Sequence, residues 1–308
     1  DFGECAVTVE NAEGFEIGYG VHVATKRVNG FHTICATILN KNVNYMTLSR
    51  PLNADCMMAD EAYAATLFPI ISAYHVEEFR IENLTIDGNR EKNGIINGCR
   101  GAGIFFYQGD AGVIQNCTVR GYSGDGISFQ QSNDVQVLDC VVEKCAGGGI
   151  HPGSGSQRAV IRGCTSREND KDGFFFCWRV RGAVVEDNTF IGNGTVGISI
   201  GHKDSDNVIR RNVIADNAGG GVQWREEAEL MAAHNIVFTE NTLRNNGSFG
   251  LYVGGETNGT VIRDNIIECA GDDSVGIRIG RKTGEVLIEN NRIQAFLQVS
   301  DERAGIKN

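Results

Sequence analysis

Apolar residues recur along the chain in short runs, and each run follows a glycine. These glycines are 23 to 29 residues apart: Gly103, Gly126, Gly149, Gly173, Gly197, Gly221, Gly250 and Gly276. One and three positions after each glycine the residue is mostly apolar, whereas the residue between them is mostly polar. Because side chains alternate between the two faces of a strand, each run predicts a strand with one buried face. No apolar pattern with the helical period of about 3.6 residues is sustained, which argues against a helical solenoid.

Two further series of residues keep the same period. One series consists of Cys117, Cys140, Cys164, Asn188, Asn212, Asn241, Asn265 and Asn291. The other lies four residues before the glycine and consists of Cys145, Asn169, Asn193, Asn217 and Asn246. Three markers in one register predict a parallel β-solenoid of about 24 residues per coil, with coils about 4.8 Å apart.

The side chains of these two series are expected to form columns at the bends of the coils. A buried asparagine can bond to the backbone groups that a bend leaves unpaired, and can repeat that pattern in the next coil. A cysteine in the same column behaves as a small apolar residue. We therefore interpret Cys117, Cys140 and Cys164 as reduced stacking residues rather than as disulfides or metal ligands.

Several segments show a family resemblance. The copies ENDKDGFFF, GNGTVGISI, DNAGGGVQW and NNGSFGLYV, with FRIENLTIDGN upstream, resemble the right-handed parallel β-helix repeats of the pectin-lyase-like superfamily. The resemblance covers residues 79–308 and implies an all-β, right-handed parallel β-helix. Residues 1–78 are less regular, and we expect an N-terminal cap and the first irregular coils there, within one continuous domain. The fold hosts lyases, hydrolases, epimerases and phage tailspikes, so it implies carbohydrate chemistry without fixing the reaction.

The overall charge narrows the choice of partner. The formal net charge is −11, which argues against nucleic acid, although a local basic strip can still bind an anionic sugar. No apolar run approaches the roughly 18–20 residues that span a bilayer, so no membrane partner is expected. The resemblance implies a polysaccharide or oligosaccharide substrate and a secreted, periplasmic or cell-surface protein. It leaves the oligomeric state open.

Departures from the repeat indicate where function lies. Two loops exceed the norm, one of about ten extra residues within Asp87–Ile96 and one of about five within Arg225–His234. Insertions in a solenoid map to loops that often wall a groove on one face.

Aromatic and ionisable residues are concentrated at the turns beside the second insertion. Five and six residues after the glycine, three successive coils have Trp178 and Arg179, His202 and Lys203, and Glu226 and Glu227. Stacked coils bring such side chains to within about 5 Å of each other. One reading is a solvated charge strip, whose ion pairs contribute about 0–1 kcal/mol each. The other is a sugar site, because an exposed tryptophan beside a cation is suited to stack on a sugar ring. On this second reading the substrate-binding residues are Trp178, Arg179, Lys203, Arg225, His151 and Gln223.

An aspartate precedes the glycine in two copies, at Asp125 and Asp172. In the polygalacturonases of the superfamily a catalytic aspartate holds a similar place in an Asn-Thr-Asp-Gly motif. Asp172 and Gly173 match its second half, but Asp170 and Lys171 replace the first half, and the family's Asp-Asp pair and Gly-His-Gly are missing. Only Asp172 is therefore carried over, as a candidate acid. The alternative for both aspartates is a turn former that bonds its own backbone.

The predicted catalytic residues are Asp172, His202 and Glu226, and they allow two reactions. A glycoside hydrolase, which we favour, needs two carboxylates, here Asp172 and Glu226, with His202 between them. A polysaccharide lyase needs a base such as His202 and cations that stabilise an enolate. Calcium is a possible substitute for those cations, with Asp204, Asp206, Asp272 and Asp273 as oxygen donors. Otherwise no cofactor is expected and no metal ligand is assigned. A non-catalytic sugar-binding or tailspike-like β-helix is the third alternative.

Overall fold

A computed structural model describes residues 1–26 and 31–305. From Ile71 onward the chain winds into a parallel β-helix in which each coil gives one strand to each of three sheets. The predicted all-β solenoid with coils of about 24 residues is confirmed. No helix among the described residues is long and apolar enough to cross a membrane.

The first parallel sheet contains the strands that follow the repeated glycines. Its ten strands are β6 (Ile71–Glu77), β9 (Ala102–Asp110), β12 (Asp125–Gln130), β15 (Ile150–Gly153), β18 (Phe174–Phe175), β21 (Val196–Ile200), β24 (Gly220–Trp224), β27 (Phe249–Val253), β30 (Val275–Ile279) and β33 (Leu297–Asp301).

Two nine-stranded sheets complete each coil. The second parallel sheet consists of β7 (Arg80–Glu82), β10 (Val113–Gln115), β13 (Gln136–Leu138), β16 (Val160–Arg162), β19 (Val184–Glu186), β22 (Val208–Arg210), β25 (Val237–Thr239), β28 (Thr260–Arg263) and β31 (Val286–Glu289). The third consists of β8 (Thr85–Asp87), β11 (Thr118–Arg120), β14 (Val141–Glu143), β17 (Thr165–Arg167), β20 (Thr189–Ile191), β23 (Val213–Ala215), β26 (Thr242–Arg244), β29 (Ile266–Glu268) and β32 (Arg292–Gln294).

The N-terminal region forms an antiparallel sheet of five strands. These are β1 (Ala6–Thr8), β2 (Gly20–Thr25), β3 (Thr33–Asn42), β4 (Tyr45–Leu48) and β5 (Ala62–Ala65), in the spatial order β1-β4-β3-β2-β5. The sheet has its own apolar cluster, while Cys35 packs into the core of the β-helix. Short 3₁₀ turns occupy Met58–Asp60, Arg90–Lys92 and Glu302–Gly305. The domain division at residues 78 and 79 stays a prediction.

The core follows the register of the first parallel sheet. The residues directly after the glycines stack on one another, and none of them is exposed: Ile104, Ile127, Ile150, Phe174, Ile198, Val222, Leu251 and Ile277. A branched aliphatic or aromatic side chain at each rung packs against the one before, which is the packing that a pleated, buried face favours.

Asparagine columns join the coils at the bends. In each link, one asparagine oxygen accepts both the backbone N–H and the side-chain amide of the asparagine one coil earlier. For example, Asn212 Oδ1 lies 3.0 Å from the backbone nitrogen and 2.9 Å from Nδ2 of Asn188. The three cysteines at the start of this column are buried with free thiols, as predicted. The columns therefore satisfy buried bend amides that the strands leave unpaired.

We expect Asn212→Ala to destabilise the protein by about 2–4 kcal/mol, because the backbone amide of Asn188 and the carbonyl of Val185 lose their buried partners. Cys140→Ala is the matched control in the same column and is expected to cost about 1–2 kcal/mol for a small cavity. Equilibrium unfolding in urea measures both. Equal losses in the two variants would contradict a hydrogen-bonding role for the asparagine column.

Candidate active-site cleft

A cleft with a volume of about 880 Å³ lies over the outer face of the first parallel sheet. His151 and Phe175, from consecutive strands, line it on the β-helix side. The N-terminal sheet adds His22 and Tyr63, and the loop between β8 and β9, which contains the first insertion, adds the segment Ile95–Cys99. The outer face of the first parallel sheet, which the sequence pattern predicts to be polar, is therefore covered here by the N-terminal sheet and by the segment Ile95–Cys99.

Asp125 and His151 form a buried pair in this cleft. Asp125 Oδ1 accepts the backbone N–H of Gly148 at 2.7 Å, and its Oδ2 lies 2.6 Å from His151 Nδ1. The imidazole packs edge-on against the Phe175 ring, with ring centres 5.0 Å apart. The carboxylate thus fixes the orientation of the ring and directs Nε2 away from itself.

Two thiols lie beside that free nitrogen. Cys99 Sγ is 3.8 Å from His151 Nε2 and 3.8 Å from Cys177 Sγ. The hydrogen bond from Cys99, followed by the charge of His151, lowers the pKa of Cys177 to about 4, while the same hydrogen bond and burial raise the pKa of Cys99. Burial opposes ionisation of His151, but Cys177 and Asp125 together raise its pKa to about 10. The cluster thus places two cysteine sulfurs and an imidazole in contact, with a buried carboxylate behind the imidazole.

The fold explains why these residues meet. Ser128 pairs with His151 on the next strand, and Gly153 forms a bridge to Cys177 one coil further on. Cys99 comes from the loop between β8 and β9, which is fixed where the Ser128 hydroxyl donates to the Gly98 carbonyl at 2.7 Å.

Asp172 lines the same cleft from the turn before β18. Its Oδ1 accepts a short hydrogen bond from the Thr195 hydroxyl and a longer one, 3.4 Å, from the Val196 amide. Burial raises the pKa of this carboxyl, although these two donors and the more distant Arg225 oppose the shift. Asp172 is therefore a carboxyl that holds its proton to higher pH than an exposed aspartate does.

His202 and Glu227 form a second pair at the cleft. His202 Nε2 lies 2.6 Å from Glu227 Oε1, and burial together with Arg225 lowers the pKa of the imidazole. Arg225 lies behind the cleft, where it donates to Ser199 Oγ at 2.7 Å and pairs with the buried Asp204 at 3.2 Å. His202 is thus held neutral by a cation on one side and hydrogen-bonded to a carboxylate on the other.

The structure brings together four of the predicted site residues. Asp172, His202, Trp178 and His151 all line the cleft, and Trp178 is 45% exposed at its rim. Arg179 lies over the Trp178 ring at 5.3 Å but borders a separate depression.

Glu226 does not join this group. Its carboxylate accepts from the Tyr252 hydroxyl and from the Gly255 amide at 3.0 Å, away from the cleft. The second insertion changes the local register, so that the Lys203 amide donates to the Met231 carbonyl at 2.6 Å. The neighbouring Glu227 takes the place beside His202 that the sequence analysis gave to Glu226.

The remaining predicted residues lie outside the cleft. Lys203, Gln223 and Arg225 do not line it, although Arg225 supports it from behind. Asp204 is fully buried, and its oxygens are taken by Arg225 and by the amides of Val180 and Gly201.

Sequence reasoning gave no role to Cys99 and Cys177, and treated Asp125 chiefly as a turn former. Cys177 falls outside the phase of the cysteine and asparagine columns, and that departure is a signal in the sequence. Cys99 lies four residues before Gly103, in phase with the Cys145 series, so its spacing does not single it out. The contribution of His22 and Tyr63 has no periodic signal at all.

The chain matches the model of the family described as the right handed beta helix region, over residues 28–179, 69–230, 152–267 and 176–306. It therefore belongs to this family, and the predicted right-handed parallel β-helix is confirmed. No curated protein matches the chain.

Solved structures share the fold at low identity. The periplasmic alginate epimerase AlgG has a TM-score of 0.54 at 15% identity, with 80% of this chain and 65% of that chain covered. The Dettilon tailspike protein has a TM-score of 0.53 at 12% identity, covering 75% and 55%. The polygalacturonase from Erwinia carotovora ssp. carotovora has a TM-score of 0.51 at 10% identity, covering 64% and 57%. The chain thus spans between 55% and 65% of the length of these proteins, and the likeness establishes the fold alone.

We expect Gly98→Ala to disrupt the cleft, because a Cβ at this position would lie 1.7 Å from Asp125 Oδ2 and 2.9 Å from His151 Nδ1. The carboxylate cannot yield without losing its bond from Gly148. The expected cost is about 1–3 kcal/mol, with faster reaction of Cys99 toward a thiol reagent. Gly94→Ala is the control in the same loop, since its Cβ would meet nothing within 4 Å. Identical thiol reactivity and stability in the two variants would contradict the close packing of the loop.

Proposed function

We propose that this protein is a carbohydrate-active enzyme, and specifically a glycoside hydrolase that cleaves an oligosaccharide or polysaccharide in the cleft. The observation that carries the proposal is the Asp172 carboxyl, which lines the cleft and whose pKa is raised by burial. Protonation of the leaving oxygen by such a carboxyl is the step that glycosidic cleavage requires.

The cleft offers contacts suited to a sugar. Its volume of about 880 Å³ lies in the range of small-molecule sites. The exposed Trp178 ring presents an apolar surface on which the C–H face of a sugar can stack. Both ring nitrogens of the buried His22 are without a hydrogen-bond partner among the described residues, and burial lowers the pKa of this histidine to about 4. A neutral imidazole in that position offers one donor and one acceptor to sugar hydroxyls.

The second catalytic role falls to His202. It is neutral near pH 7, because its pKa is lowered, and its Nε2 is hydrogen-bonded to Glu227. A histidine backed by a carboxylate is an effective general base toward water. In this mechanism Asp172 donates a proton to the glycosidic oxygen while the His202–Glu227 pair takes one from the attacking water.

A polysaccharide lyase is the second candidate. The observation that favours it is Lys171, whose side chain lines the cleft directly beside Asp172 and can neutralise a uronate carboxylate. Elimination would use His202 to remove the proton next to that carboxylate. The names of an alginate epimerase and a polygalacturonase among the structural neighbours are consistent with a uronate-containing substrate.

We expect Asp172→Asn to lower kcat by at least about 100-fold, because the amide cannot donate the catalytic proton. In the wild type, activity should fall as the pH rises through the raised pKa of Asp172, because the acid must be protonated. The variant should lack this decrease in activity with rising pH. The assay measures reducing ends and unsaturated uronates on a panel of glycans. Asp170→Asn is the control, because this neighbour pairs with Arg90 outside the cleft.

The same panel separates the candidate functions. Reducing ends without unsaturated product support hydrolysis, whereas both together identify a lyase. Neither product from any glycan, with sugar binding retained, would contradict an enzymatic role. Wild-type kcat in Asp172→Asn would remove this residue from the mechanism.

We expect Glu227→Gln to lower kcat by at least about 10-fold and Glu226→Gln to leave it near the wild-type value. The two glutamates are adjacent, but only Glu227 contacts His202, at 2.6 Å, whereas Glu226 bonds to Tyr252 and Gly255. Steady-state kinetics on the best substrate of the panel measures both. A larger loss in Glu226→Gln would overturn the assignment of Glu227.

A further inference from the structure

We propose that Cys99, His151 and Cys177 form a binding site for a thiophilic divalent cation, with Zn²⁺ as the natural occupant, in the cleft. The proposal goes beyond the sugar chemistry above and does not depend on it. It also departs from the sequence analysis, which assigned no metal ligand.

The donor atoms have the separations that a tetrahedral ion requires. Zn–S bonds of about 2.3 Å and Zn–N bonds of about 2.0–2.1 Å place two sulfurs about 3.8 Å apart, and a sulfur about 3.6 Å from a nitrogen. In the structure the two Sγ atoms are 3.8 Å apart, and Cys99 Sγ lies 3.8 Å from His151 Nε2. All three donor atoms lie within 4.8 Å of one another. One ion can therefore contact all three with little movement of the chain.

Asp125 completes the arrangement behind the histidine. Its Oδ2 lies 2.6 Å from His151 Nδ1, which leaves Nε2 for the ion. A carboxylate that holds the second nitrogen of a ligating histidine is the usual outer partner in zinc sites, since it fixes the ring and increases its basicity. The Gly148 amide in turn holds the carboxylate, so the histidine is oriented before any ion arrives.

The surroundings match a site with one open coordination position. The three ligands are only 4–6% exposed, yet all of them line the cleft. Two thiolates neutralise a divalent cation, which makes burial of the ion favourable. Three protein ligands leave the fourth position of a tetrahedral ion to water or to a group of a bound molecule.

The convergence of three elements favours an ion over a simple pair of thiols. Cys99 comes from the loop between β8 and β9, His151 from β15 and Cys177 from the segment after β18. A disulfide between the two cysteines would need no histidine, and it would require the sulfurs to approach to about 2.0 Å. The other eight cysteines are free, and none of them lies in a comparable group among the described residues.

The test is a titration of the reduced, chelator-treated protein with Co²⁺ under nitrogen. We expect one equivalent to give the visible bands of a tetrahedral ion together with thiolate-to-cobalt charge-transfer bands, and one equivalent of Zn²⁺ to abolish both. Absence of these bands would overturn the proposal, as would binding of cobalt without charge transfer. Quantitative formation of a Cys99–Cys177 disulfide by a protein that shows no cobalt bands when reduced would also overturn it.

Variants assign the ligands. Cys99→Ser and Cys177→Ser should each weaken binding by at least about 100-fold, and Asp125→Asn by about 10–100-fold as the outer partner of His151. Cys5→Ser removes an exposed thiol elsewhere and should bind as the wild type does. Asp172→Asn should also keep the cobalt spectrum, which separates this proposal from the hydrolase mechanism. Unchanged spectra in both Cys99→Ser and Cys177→Ser would refute the site.

Discussion

Hydrogen bonding between parallel strands in strict register is the constraint on which the rest of this molecule depends. Each coil pairs with the next at a spacing of about 4.8 Å, so residues one coil apart in sequence become neighbours in space. At the bends some backbone amides, such as those of Asn188 and Asn212, bond instead to a buried asparagine oxygen of the next coil. The same register that stacks Ile127 on Ile150 also places Ser128 beside His151 on the other face of the sheet.

The cleft forms where other parts of the chain cover the outer face of the β-helix. The N-terminal sheet and the segment Ile95–Cys99 lie over the outer face of β12, β15 and β18 and shield part of it from water. Loss of solvent raises the pKa of Asp172 and lowers that of His202, so the carboxyl holds its proton to higher pH, and the imidazole loses its proton at lower pH, than in water. Uncovered coils further along present similar residues to solvent, and there the charges form surface ion pairs such as Arg278 with Glu302.

The features that could be predicted from the sequence are those that follow the repeat. The strand positions, the inward faces and the asparagine columns follow from one period, and the same period brings Asp172, Trp178 and His202 to one cleft. It could not reveal which of two adjacent glutamates meets His202, because the second insertion shifts the register between Lys203 and Met231. The Cys99–Cys177 contact was equally hidden, since it joins residues 78 positions apart and depends on a loop that no other coil repeats.

The central claim is that the covered face of the β-helix, rather than any other surface, is where a sugar binds and reacts. A crystal structure of the Asp172→Asn variant with a bound oligosaccharide tests this most directly. The account predicts a sugar ring against Trp178, with a glycosidic oxygen within hydrogen-bond distance of the residue 172 side chain. An ordered oligosaccharide on the second or third parallel sheet, with the cleft free of sugar, would contradict it.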